Sequence, residues 1–177
     1  MHGLTLREVA RVAGVSHQAP YRHFADRASL VAAVAESGFS ALHERLASAV
    51  ARAAKDPDAV LEGLVVEYVR FAIEHRTLFR VMFSEEVRDK SPYPSLQLRA
   101  DDNLALLTEA VQAAQRAKRV RPGDVLDYAA AAWALAHGLA AFLVDGQLRR
   151  RGFDVRGADA IARRLLTVLR EGLNPRV

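Results

Sequence analysis

Apolar residues recur along this chain at spacings of three and four, the period of a helix with one buried face. No segment alternates in the manner of a strand, and there is no internal repeat. The pattern predicts an all-α fold, and polar and glycine punctuation divides it. Thr5 and Glu8 form a capping box ahead of a short helix from about Leu6 to Val12. Gly14 supplies the corner after it, and Ser16 caps the next helix. Asp26 caps a long helix striped by Leu30, Val34, Leu42, Leu46 and Val50. Lys55-Asp56-Pro57-Asp58 ends it and opens another, whose face carries Leu61, Leu64, Val65, Tyr68, Phe71 and Ala72, with His75 next on the stripe. A short helix from Thr77 holds Leu78, Phe79, Met82 and Phe83. Residues 84–94 read as a loop, and a long helix follows to about Lys118. Arg121-Pro122-Gly123 is a turn, Asp124 caps an alanine-rich helix to Val144, and residues 145–157 form a basic loop. The last helix places Ile161, Leu165, Val168, Leu169 and Leu173 on one face.

Composition narrows the function. With 51% hydrophobic residues in 177, the chain can bury a full core. It has no cysteine, which excludes disulfides, thiolate metal sites and a cysteine nucleophile and fits a cytoplasmic protein. A net charge of +4 permits nucleic acid as a partner without requiring it. The stretch 125–144 is long enough to span a bilayer, and Arg149, Arg150 and Arg151 follow it. It also contains Asp127, His137 and eight alanines, so it reads as a core helix rather than a membrane span.

The chemistry is concentrated near the N-terminus. Ala10 and Gly14 sit four apart, letting two helices cross closely at a glycine corner. The stretch TLREVARVAGVSHQAPYRHFADRASL, with its ending Tyr21-Arg22-His23-Phe24, resembles the helix-turn-helix DNA-binding domain of TetR-family transcriptional regulators. Pro20, in the first turn of the reading helix, faces inward with Val15 and Phe24 and leaves the outer face to polar residues. On that face His17 and Gln18 suit base edges, and Ala19, Tyr21, Arg22 and His23 lie with them against DNA. The resemblance implies that Thr5 and Arg27 touch backbone phosphates.

The rest of the chain resembles the family's helical ligand-binding and dimerisation domain, and Trp133, His137 and Gly138 resemble the Trp–His–Gly signature of one subgroup. The expected organisation is a DNA-binding domain over residues 1–45 and a ligand-binding and dimerisation domain over 46–177. The family carries a further helix ahead of the motif, and the residues before Thr5 do not supply it, so weakened or lost DNA binding is expected. Phe71, His75, Phe79, Met82, Phe83, Tyr128, Trp133 and His137 are the candidate lining of a small-molecule pocket. Gly138 with the alanines at 129, 132, 136 and 140 is the candidate dimer seam. No nucleophile elbow, metal motif or phosphate loop is present, so neither catalysis nor a metal or cofactor is expected. The implied function is that of a homodimeric repressor released from a palindromic operator by a small molecule. The rival is a helical ligand-binding protein that no longer binds DNA.

Overall fold

The computed structural model describes residues 11, 14, 16, 18, 19, 22–53, 56–152 and 157–172. The Thr5–Glu8 capping box, Leu6, Val9, Ala10, Val15, Pro20 and Leu173 lie outside the described residues, as do the candidate DNA contacts Thr5, His17 and Tyr21.

All regular structure among the described residues is helical. At the predicted corner Gly14 takes φ +68° and its N–H donates to the Arg11 carbonyl at 3.3 Å. Beyond it, the described residues depart from the α-helix expected behind Ser16. The Ala19 N–H donates to the Ser16 carbonyl at 2.9 Å, and the Arg22 N–H to the Ala19 carbonyl at 3.2 Å. Both are three-residue turns, tighter than α. The chemistry explains the first: Pro20 has no N–H with which to claim the Ser16 carbonyl.

Helix α1, Arg27–Arg52, starts where Asp26 accepts from the Ser29 N–H while the Ser29 hydroxyl accepts from the Asp26 N–H. Its 26 residues bury Val31, Ala35, Phe39, Leu42 and Leu46, while Val34, expected on the same stripe, is 38% exposed. Residues 45 and 46, where the junction of the two domains is expected, both lie within it. Helix α2, Pro57–Glu74, is capped by Asp56 and opens on Pro57, which needs no N–H there. It runs through the middle of the bundle, packed against α1 and against four later helices, and all six of its predicted stripe residues from Leu61 to Ala72 are buried.

Helix α3, Arg76–Met82, follows at once. The span read as a loop contains a 3-10 turn, Glu85–Val87, before α4, Pro94–Arg116. Helix α5, Val125–Val144, has the predicted cap and bounds. The basic span after it holds a short helix, α6, Gln147–Arg150, entered through Gly146 at φ +66°. Helix α7, Ala158–Glu171, closes the described chain.

One expectation about faces needs correction. Ala129, Ala132, Ala136 and Ala140 are all buried in the chain's own core, so they are not an outer seam. Small side chains let α5 sit close to α2, which reserves that face for packing within the chain. On α7 the buried positions are Ile161, Ala162 and Leu166, while Val168 and Leu169 remain 45% and 40% exposed. The apolar residues of that helix fill one broad arc, and the bundle covers only part of it. Helix α5 is long and apolar enough to cross a membrane, yet here it packs against α2, α4 and α7.

Candidate functional site

Helices α1, α2, α4 and α5 do not close completely on one another. Between them lies a cavity of about 250 Å³. Phe39, Leu42 and Leu46 of α1 form one wall, and Leu64, Val65 and Tyr68 of α2 the next. Leu104 and Leu107 of α4, with Ala132, Trp133 and Ala136 of α5, complete the apolar part. Phe83 and Lys90, from the segment joining α3 to α4, also line it. An apolar, concave space with few polar groups is the usual make-up of a small-molecule site.

The polar groups come mainly from α4. Gln97, Asp101 and Asn103 line the cavity, and the Gln97 amide donates to the Asp101 carboxylate at 2.7 Å. The Asn103 Nδ2 donates to the Phe39 carbonyl at 3.0 Å and to the Arg99 carbonyl at 2.8 Å. Two carbonyls at that end fix which side of the amide is nitrogen. The Asn103 Oδ1 is left buried with no hydrogen-bond partner. Lys90 places its ammonium over the Phe39 ring, 5.8 Å from the centroid.

Of the eight candidate pocket residues, the structure brings two onto this cavity: Phe83 and Trp133. Phe71, Phe79 and Met82 are core residues, at most 4% exposed. The α2 stripe ends before His75. That residue is exposed at the helix end, its ring 4.9 Å from Phe71, so it is not a pocket group. Tyr128 lies on another cavity, of about 570 Å³, between the start of α5 and the end of α7, and accepts from the Arg121 guanidinium at 3.0 Å.

His137 stands just behind the cavity wall. Its ring packs against Phe83 at 4.5 Å, Phe79 at 5.4 Å and Trp133 at 6.3 Å, and its Nδ1 is 2.9 Å from the Tyr68 hydroxyl. Burial disfavours charge on both partners, lowering the imidazole and raising the phenol from their ordinary values. The protonated phenol and the neutral imidazole share this hydrogen bond, and the imidazole tautomer sets which of them donates. His137 is therefore a satisfied histidine that orients Tyr68, and Tyr68 is the residue that meets the cavity. In the sequence Tyr68 falls only within the core stripe, and nothing in the helix periodicity read above singles out Gln97, Asp101 or Asn103. A signal for Gln97 and Asp101 was present: positions 97, 100, 101, 104 and 107 share one helical face that changes from polar to apolar along its length.

At the N-terminal end, Gln18, Arg22 and His23 are exposed and Ala19 half-buried. Phe24, expected to face inward, is half-buried, its ring 6.5 Å from that of His23. Arg27, the candidate phosphate contact, donates from Nη2 to Glu86 Oε1 at 2.8 Å. Among the described residues no group of acidic, histidine or cysteine side chains could hold a metal ion.

A helical bundle enclosing an apolar cavity, continued through α1 from a helix-turn-helix sequence, defines a class of helical regulator, and the family follows from comparison. Residues 61–169 match the tetracyclin repressor-like C-terminal domain, and residues 1–34 match the bacterial regulatory proteins of the tetR family. The chain belongs to the TetR family. It is similar to a protein of unknown function from Rhodococcus sp. RHA1, with 34% identity over 97% of this chain and 86% of that one, at a TM-score of 0.80. It shares its fold with the TetR family transcriptional regulator PfmR from Thermus thermophilus, with 18% identity over 98% of this chain and 88% of that one, at a TM-score of 0.76. No curated protein matches the sequence.

Proposed function

We propose that this regulator is a ligand-responsive repressor. A homodimer binds a palindromic operator through the segment around Gln18, Ala19, Arg22 and His23, and a small molecule in the α1–α2–α4–α5 cavity releases it. The observation that carries this reading is the shared helix. Phe39, Leu42 and Leu46 line the cavity, and they stand on the same α1 that begins directly after the DNA-reading segment. A ligand that prefers one tilt of α1 thereby changes the spacing of two reading heads in a dimer. The effector this cavity suits is a compact apolar molecule. A hydrogen-bond donor on it would meet the polar α4 wall, where Asn103 Oδ1 lacks a partner. We assign no catalytic role to any residue.

Trp133 is the only tryptophan and lines the cavity, so its fluorescence reports occupancy. Compounds that quench Trp133 are expected to lower affinity for a duplex selected from a random-sequence pool. Quenching that leaves duplex affinity unchanged sinks the coupling. Failure to select any duplex favours the rival, a ligand-binding protein without DNA binding.

A further inference from the structure

We propose that Glu86 is a positioning residue for DNA engagement: it holds the Arg27 guanidinium in direct competition with a DNA phosphate, and so restrains binding. The inference rests on the DNA-binding reading above, in which Arg27 approaches the backbone.

Arg27 is the first residue of α1, and its Nη2 donates to Glu86 Oε1 across 59 residues of sequence. The two side chains are 36% and 26% exposed, sheltered enough for a defined geometry and open enough for an incoming anion to reach the pair. Glu86 does not drift on a loose loop. It sits in the 3-10 turn Glu85–Val87, and Val87 beside it is fully buried. Its own backbone amide and the Arg27 guanidinium hold its carboxyl below the usual range, so it is an anion at neutral pH. A carboxylate and a phosphate ask for the same N–H groups. With Glu86 in place, part of the Arg27 charge is already neutralised, so a phosphate competes with the carboxylate for the guanidinium.

The segment that holds Glu86 also touches the cavity. Phe83 and Lys90, on either side of the turn, line it, and both meet Phe39 of α1: ring to ring at 5.5 Å, and ammonium over ring at 5.8 Å. The neighbouring Glu85 behaves differently, pairing with Arg88 three residues on, with both side chains about three-quarters exposed. It therefore serves as a control for charge alone.

The test measures anisotropy of a labelled mixed-sequence duplex of about two helical turns, titrated with wild type, Glu86→Gln, Glu85→Gln, Arg27→Gln, Arg27→Gln with Glu86→Gln, and Arg22→Gln, over roughly 50 to 200 mM salt. Glu86→Gln is expected to tighten binding about two- to fivefold at low salt and to steepen the salt slope by about 0.9, one added phosphate. Glu85→Gln is expected to do neither, and the gain is expected to vanish in the Arg27→Gln background. Equal gains from Glu85→Gln, or a gain that persists without Arg27, overturn the proposal, because net charge then explains them. Unchanged or weaker binding by Glu86→Gln, while Arg22→Gln weakens it, overturns the proposal and leaves the DNA-binding reading standing. Absence of salt-dependent binding by every variant overturns both.

Discussion

Tyr68 and His137 show how burial assigns chemistry to residue types that the sequence leaves open. The folded state disfavours the charged imidazole, so His137 titrates below its ordinary value of 6.5. An unfolded chain takes up that proton as pH falls through 6.5, while the folded chain resists until a lower pH. Stability from this group is therefore fully present above 6.5 and is lost as pH falls below it. The expected outcome is a melting temperature that drops between neutral and mildly acid pH by more in wild type than in His137→Gln; parallel curves would count against it. Gly38 is the residue on which the contact of α1 with α3 depends. A Cβ there would lie 2.7 Å from the Met82 Cγ and Sδ atoms and 3.1 Å from Leu78 Cδ1, and Met82 is fully buried. Gly38→Ala gains helix propensity of up to about 1 kcal/mol but overpacks the contact, at a cost of roughly 1–3 kcal/mol. A net loss near 1 kcal/mol by denaturant melting is expected. A stabilised variant would mean that Met82 moves aside freely.

Helices α1, α2 and α7 are joined by charge as well as by apolar contact. Glu67 is 7% exposed, and it accepts from Arg45 at 3.0 Å, Arg52 at 3.2 Å and Arg70 at 2.9 Å. Arg70 also engages Asp159 of α7, and Arg45 engages Glu74. The arginines keep access to water, so losing Glu67 does not strand them as fully buried charges would be. Glu67→Ala is expected to cost about 2 kcal/mol, below the 3–5 kcal/mol of a fully buried pair. The measurement is chemical denaturation, with loss of the Trp133 signal as readout; an unchanged midpoint would mean the network contributes nothing net. The elements themselves were largely legible. Asp26, Asp56-Pro57 and Asp124 announce the starts of α1, α2 and α5, because a capping side chain acts within one turn of its own position. The short α6 and the Glu85–Val87 turn were not, since their bonds are few and tertiary contact holds them.

Across the whole molecule, several large apolar side chains stay exposed. Leu126, Trp133 and Phe142 of α5 are 64%, 44% and 47% exposed, and Val168 and Leu169 of α7 are also exposed. A Cβ built on Gly138 meets nothing within 4 Å. If the proposed homodimer pairs through the side of α5 that carries Gly138, a large side chain there harms only the assembly. Gly138→Leu is expected to leave the folded protomer intact by circular dichroism and to weaken dimerisation by about tenfold or more, 1.4 kcal/mol, in analytical ultracentrifugation. An unshifted dimer would place the interface elsewhere.

The sequence by itself determined the helical class, the order of the helices and the helix-turn-helix family, because periodicity, caps and short motifs are properties of neighbouring residues. It did not determine which face of each helix met the core. The apolar residues of α5 surround that helix, those of α7 fill an arc wider than one contact, and only the packed bundle chose which of them to cover. The cavity belongs to the tertiary structure for the same reason. Tyr68, Asn103 and Trp133 come from three helices, and what brings them around one space is the incomplete closure of those helices on one another.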